Sequence, residues 1–130
     1  MDTQVIQQAT SRSLQGTITF GEVVRDLLAI GVESYDADLV RMEKTYYMPN
    51  GETHIEKLGI KGPAISRDFS REAVVAALKA IQKQEINYVE FLNRILAAGT
   101  TRYIVFLTGR KAVYYGRKGE FHVEDFPDKA

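Results

Sequence analysis

The chain contains two histidines, and each lies among carboxylates in the same local pattern. The segments Tyr46-Tyr47-Met48-Pro49-Asn50-Gly51-Glu52-Thr53-His54-Ile55-Glu56 and Tyr114-Tyr115-Gly116-Arg117-Lys118-Gly119-Glu120-Phe121-His122-Val123-Glu124 are 68 residues apart. Side chains alternate along a strand, so Glu52, His54 and Glu56 are expected to share a face, as are Glu120, His122 and Glu124. A two-residue turn would add Tyr47 and Tyr115 to that face. Tyr46, Thr53 and Ile55, like Tyr114, Phe121 and Val123, would then point the other way, into the core. An imidazole flanked by carboxylates can bind zinc or another divalent ion, or serve as a general acid and base. The candidate ligand-binding set is therefore Tyr47, Glu52, His54, Glu56, Tyr115, Glu120, His122 and Glu124. It could be one polar site used twice, or a composite site across a pseudo-two-fold axis. The plainer alternative is a solvated hairpin face whose charged groups keep edge strands soluble. Repetition does not decide between them, because duplication copies structural residues as readily as functional ones.

The repeat extends well beyond the motif. Residues 18–56 align on 86–124 without a gap, with identities at Ile18/Ile86, Glu22/Glu90, Leu28/Leu96, Ala29/Ala97, Gly31/Gly99, Tyr35/Tyr103, Leu39/Leu107, Tyr46/Tyr114, Tyr47/Tyr115, Gly51/Gly119, Glu52/Glu120, His54/His122 and Glu56/Glu124. Unrelated segments of this length would match at about two or three positions. The reading is a tandem duplication, with copies at 1–62 and 69–130 and a linker at about 59–68. One copy of about 60 residues would bury only about 60% of its unfolded surface, so the copies are expected to share one core in a single domain, 1–130.

Each copy reads as helix, helix and three strands. Phe20, Val23, Val24, Leu27 and Leu28 follow helical spacing, as do Tyr88, Phe91, Leu92, Ile95 and Leu96. Thr19 with Glu22 and Asn87 with Glu90 have the spacing of capping boxes, and Gly31 and Gly99 stand where a left-handed residue ends a helix. Leu28 and Leu96 both read as core. Residues 71–83 are apolar on nearly every side and predict a deeply buried helix, whereas residues 3–14 predict a peripheral one. Tyr35, Ala37 and Leu39 alternate with Ser34, Asp36 and Asp38, as in a half-buried strand with a solvated acidic face. Its counterpart, Arg102 to Leu107, reads as a central strand covered on both sides. The expected fold is α+β, a pseudo-two-fold pair of ααβββ units with helices packed on an antiparallel or mixed sheet.

Composition narrows the function. Zero cysteines exclude disulfides, thiolate metal sites and a cysteine nucleophile. Residues 1–62 carry 6 basic and 9 acidic side chains, and residues 63–130 carry 11 and 8. This asymmetry suits orientation of the copies against each other or against a second subunit, but it is too small to imply nucleic acid or an anionic membrane. Arg110, Lys111, Arg117 and Lys118 would lie at opposite ends of a meander rather than in one patch. No apolar run is long enough to span a membrane, and the N-terminus does not read as a signal peptide, so a cytoplasmic location is expected. The chain has no phosphate loop, nucleophile elbow or Ser/His/Asp pattern, and neither a cofactor nor a catalytic residue is assigned.

Gly31-Val-Glu-Ser-Tyr-Asp-Ala-Asp38, Lys44-Thr-Tyr-Tyr-Met-Pro-Asn-Gly-Glu52, Glu85-Ile-Asn-Tyr-Val-Glu-Phe91 and Tyr115-Gly-Arg-Lys-Gly-Glu-Phe-His-Val-Glu-Asp-Phe-Pro127 together resemble the bacterial domain of unknown function 1398 family, some of whose members are labelled phage-envelope-like. That resemblance implies a small bacterial or phage-derived protein without an assigned activity. The functional expectation is a non-catalytic binding or interaction module, with a homodimer as one form. The rival is an enzyme or metal-binding protein that uses the hairpin face.

Overall fold

A computed structural model describes residues 1–127. The element order is α1 (Thr3–Gln15), α2 (Phe20–Ala29), β1 (Ser34–Asp38), β2 (Glu43–Tyr47), β3 (Thr53–Lys57), α3 (Arg71–Gln82), α4 (Tyr88–Ala97), β4 (Thr100–Phe106), β5 (Lys111–Gly116) and β6 (Phe121–Asp125). This is the ααβββ unit twice, in an α+β fold. The strands form one antiparallel sheet in the order β3-β2-β1-β4-β5-β6.

The two halves meet where β1 pairs with β4. Tyr35 lies opposite Val105, Asp36 opposite Ile104 and Ala37 opposite Tyr103. Asp36 and Ile104 are themselves 68 residues apart, so the pseudo-two-fold axis passes through this pair. Backbone conformation follows the same symmetry. Left-handed residues other than Gly59 in the linker occur in pairs at that offset, namely Gly16 and Gln84, Gly31 and Gly99, Met42 and Arg110, and Gly51 and Gly119.

Local chemistry accounts for the helix ends. Thr19 and Asn87 accept from the Glu22 and Glu90 N–H groups, and both glutamates reach back to the cap backbone. At the end of α2 the Val32 N–H donates to the Leu27 carbonyl and the Gly31 N–H to that of Leu28, a Schellman closure around Gly31 at φ 88.

Alternation decides which strand residues are inside. Tyr35, Ala37, Tyr46, Tyr103, Val105, Ala112 and Tyr114 face the helices and share one apolar core with Ile6, Leu27, Val74, Leu92, Ile95 and Leu96. Among the described residues the opposite sheet face carries no helix. This corrects two expectations. The strand of Arg102 to Phe106 is central but covered on one side only, and Phe106 is exposed. Helix α3 is also not enclosed: Val74, Ala77, Leu78 and Ala80 are buried, while Ala73 and Ala76 lie on its exposed side. Helix α1, expected at the periphery, buries Ile6, Ala9, Thr10 and Ser13.

The leucine pair is also split. Leu96 is 1% exposed, but Leu28 is 40% exposed and not core. The difference comes from segment 58–70, which carries no helix or strand and runs over the end of α4. Ser66 N–H donates to the Leu96 carbonyl at 3.1 Å, and Gly62 packs so closely that an added Cβ would lie 2.5 Å from a Leu96 methyl. Among the described residues, no such segment covers Leu28.

Leu96→Ala should therefore cost ~2–5 kcal/mol and Leu28→Ala less than about 1 kcal/mol, measured by urea melts; equal losses would contradict this account. Expressed separately, residues 1–62 and 63–130 should not fold, because each would expose its β1–β4 edge and half of the shared core. A cooperative thermal transition in either fragment would overturn that expectation.

Candidate functional site

Both hairpins are closed by a three-residue loop rather than by two residues. Met48 N–H donates to the Glu52 carbonyl at 2.9 Å, and Gly51 N–H donates to the Met48 carbonyl at 3.0 Å. Gly51 has φ 93, as suits a type I turn followed by a left-handed bulge residue. In the second hairpin Gly116 N–H donates to the Glu120 carbonyl and Gly119 N–H to the Gly116 carbonyl. The extra residue moves the register by one position and so exchanges faces. Tyr46 lies opposite His54 and Tyr47 opposite Thr53; likewise Tyr114 lies opposite His122 and Tyr115 opposite Phe121.

The candidate set is therefore divided. His54, Glu56, His122 and Glu124 are on the helix-covered face beside the buried Tyr46 and Tyr114. Tyr47 and Tyr115 are on the open face. Ile55, Phe121 and Val123, expected in the core, also project from the open face and are 51%, 50% and 43% exposed. Glu52 and Glu120 belong to the loops. Glu52 accepts from Asn50 Nδ2 at 3.0 Å and lies 3.6 Å from the N-terminal amine; the Asn50 bond, with that charge, holds its carboxyl below the usual range. Glu120 accepts from the Lys118 N–H at 2.8 Å, and loop N–H groups lower its carboxyl pKa in the same way. These bonds give both glutamates a role in closing their turns.

What remains of the motif is one imidazole–carboxylate pair per half. His54 Nε2 lies 2.5 Å from Glu56 Oε2, and His122 Nε2 lies 2.9 Å from Glu124 Oε1. Both pairs are half-buried at the sheet margins. Glu124 also accepts from Gln82 Nε2 of α3 at 3.1 Å. The histidines do not meet: β3 and β6 are the two edge strands, with four strands between them, a separation of roughly 24 Å at about 4.8 Å per strand. One zinc ion cannot bridge them. Among the described residues, no three His, Asp or Glu side chains gather as a metal-binding group. Of the acidic pair on β1, Asp38 Oδ1 accepts from the Val40 and Arg41 N–H groups at 3.0 Å and caps the following turn.

The structure adds a group that the motif analysis did not single out. Lys44 points inward from β2 and is 4% exposed. It lies opposite Ala37 and Glu56, with Nζ 4.5 Å from the Tyr88 ring centre and 5.2 Å from that of Tyr35. Among the described residues it makes no ion pair. Two aromatic faces stabilise the cation only partly, and burial lowers its pKa to about 7. Nearby, Tyr88 and Tyr103 share a hydroxyl hydrogen bond at 2.6 Å, and Tyr46 meets Thr10 of α1 at 3.4 Å. Desolvation raises the Tyr46 phenol to about 12 and also raises those of Tyr35, Tyr88, Tyr103 and Tyr114. An uncharged amine among phenols can serve as a base or nucleophile, but a substrate would reach Lys44 only after α4 or Tyr88 moved. The sequence signal was an ionisable residue at an inward strand position whose counterpart 68 residues on is Ala112. A separate cleft of about 210 Å³ between α1 and α2 contains none of the candidate residues and is smaller than ordinary ligand pockets, which run to roughly 300–1,000 Å³.

No protein-family model matches the chain. Over 67 residues it is 34% identical to an uncharacterized protein of Mycobacterium bovis and to two uncharacterized proteins of Mycobacterium tuberculosis; the aligned stretch covers 52% of this chain and 41% of each relative. The match spans less than half the length of those relatives. No helix among the described residues is long and apolar enough to cross a membrane.

Burial of Lys44 predicts an unusual stability profile. The folded amine loses its proton near pH 7, and the unfolded one near 10.4. Between these values the unfolded chain binds the extra proton, so stability rises with pH, by at most about 1.4 kcal/mol per unit. Above about pH 10 the unfolded tyrosines ionise first and stability falls. Urea melts should show a maximum near pH 9–10, and Lys44→Met should flatten the rise above pH 7. A parent profile that is flat or falling from pH 7 to 9 would refute this.

Proposed function

We propose that this protein is a non-catalytic interaction module whose working surface is the open face of its sheet. The observation that carries the reading is the set of apolar side chains on that face: Ile55, Phe106, Phe121 and Val123, with Tyr47 and Tyr115 beside them. On β4 to β6, Phe106, Tyr115, Phe121 and Val123 are contiguous through Ile104 and Val113, and large apolar groups gathered on an uncovered face mark association sites, whereas Ile55 and Tyr47 lie apart on the other half. Edge strands with a helix layer on one side need only polar residues on the other, and these positions are not polar. Ile55 and Val123 occupy equivalent positions in the two halves, at opposite ends of one row across the sheet.

The motifs that resemble the bacterial domain of unknown function 1398 family accord with this reading, because that resemblance brings no activity with it. The rival reading, an enzyme or metal-binding protein, draws on one feature: Lys44 is the register neighbour of Glu56, which binds His54. It would place any chemistry in the first half alone, since Ala112 replaces the amine in the second. Titration of the protein with Zn²⁺, repeated on His54→Ala, distinguishes the two readings. The interaction reading expects no saturable binding that depends on the imidazole.

The test of the module reading is photo-crosslinking in living cells. A benzophenone side chain at position 55 or 123 should yield discrete protein adducts. The same group at position 72, on the outer side of α3, should yield none. Equal labelling at the three positions, or none at 55 and 123, would end the reading.

A further inference from the structure

The partner that best fits the open face is a second copy of this chain. This inference rests on the interaction reading above and specifies its occupant. The register sets out the face as three rows across the sheet. The middle row is Ile55, Thr45, Asp36, Ile104, Val113 and Val123; one flanking row is Lys57, Glu43, Asp38, Arg102, Tyr115 and Phe121; the other is Thr53, Tyr47, Ser34, Phe106, Lys111 and Asp125. Charge is unevenly divided. The β1–β3 half carries Asp36, Asp38 and Glu43 against Lys57, whereas the β4–β6 half carries Arg102 and Lys111 against Asp125. The first half is acidic, and the second is apolar and basic.

A two-fold dimer presents the same patch on both subunits, and sheets packed face to face in the aligned class keep their strands within about 30° of each other. Within that class there are two arrangements. With the dyad across the strands, each strand faces itself. Asp36 then meets its own copy, and the acidic half lies against the acidic half. With the dyad along the strands, each row faces the same row of the partner in reverse. Asp38 then meets the partner's Arg102, Tyr47 meets the partner's Lys111, Ile55 meets the partner's Val123 and Thr45 meets the partner's Val113. Both arrangements bring apolar groups together, but only the second pairs opposite charges, Asp38 with the partner's Arg102, although it also sets Asp36 against the partner's Ile104. The dimensions also fit. Six strands of five residues make a face of roughly 29 by 17 Å. That is about 500 Å² before side-chain relief is added, of the order of the ~800 Å² per partner in a standard interface.

We infer that the chain forms a face-to-face homodimer through the outer side of its sheet, with the dyad parallel to the strands and each acidic half against the partner's basic half.

Sedimentation of the full chain should give twice the 14.7 kDa chain mass, with dissociation on dilution. Ile55→Lys and Val123→Lys should each weaken the dimer by about tenfold or more while leaving the circular dichroism spectrum of the fold unchanged, because neither side chain is in the core. The sharper test is a mixing experiment. Asp38→Arg alone and Arg102→Asp alone each create like-charge contacts across the dyad and should be monomeric. Mixed one to one, they should form a heterodimer, since each altered charge then faces its opposite. Circular dichroism checks that both variants fold.

A monomer at every concentration overturns the inference, as does a dimer indifferent to both lysine substitutions. A dimer that the lysine variants disrupt but that the charge variants do not rescue on mixing overturns the assigned dyad. A monomeric chain whose position-55 crosslinker captures a different protein sinks the dimer and leaves the interaction reading standing. Absence of any face-specific adduct sinks both.

Discussion

The rest of the structure depends on the antiparallel pairing of β1 with β4. It joins two equivalent strands at Asp36 and Ile104 and so continues two three-stranded meanders as one six-stranded sheet. Each half alone is of a size that closes a core poorly. Joined, they hold Tyr35, Tyr103 and their neighbours under helices from both halves. The same pairing sends β3 and β6 to opposite edges, so the two copies of the histidine motif are as far apart as the sheet allows.

The second organising constraint is that, among the described residues, all four helices lie on one side of the sheet. The inner face then has to accommodate whatever alternation places there, including the Lys44 amine and the His54–Glu56 and His122–Glu124 pairs. Those pairs sit at the margins of the helix layer, where each imidazole meets its carboxylate while keeping some contact with water. Lys44 lies deeper, and its burial raises the free energy of its charged form. The outer face is left without a cover although it carries isoleucine, valine, phenylalanine and tyrosine. The apolar side chains on that face are the observation on which the proposed association rests.

Backbone symmetry and side-chain asymmetry coexist in this chain. Left-handed residues match across the 68-residue offset even where the side chains do not, as with Gly16 and Gln84. Side chains diverge where the two halves have different surroundings. Thr10 and Lys44 correspond to Leu78 and Ala112, so the first half has a more polar interior than the second. Leu96 has the linker over it and Leu28 does not. The charge division between the halves has the same character, because identical folds carry opposite excess charge.

Repeat period, element order, capping boxes, glycine-terminated helices and the α+β class were all legible in the sequence, because each depends on residues a few positions apart or on one fixed offset. Tertiary structure decided what lay beyond that range. One additional loop residue at Gly51 and Gly119 exchanged the faces assigned to Tyr46 and Tyr47, since side-chain direction along a strand has period two and carries no tolerance. The strand order, and with it the separation of the histidines, follows from which edges pair, and both edges of a meander look alike in sequence. Exposure of Leu28 and burial of Lys44 depend on segments remote in the chain, the linker over α4 and the ring of Tyr88. The sequence could place a lysine at an inward strand position; only the packing of α4 against the sheet could make that position dry.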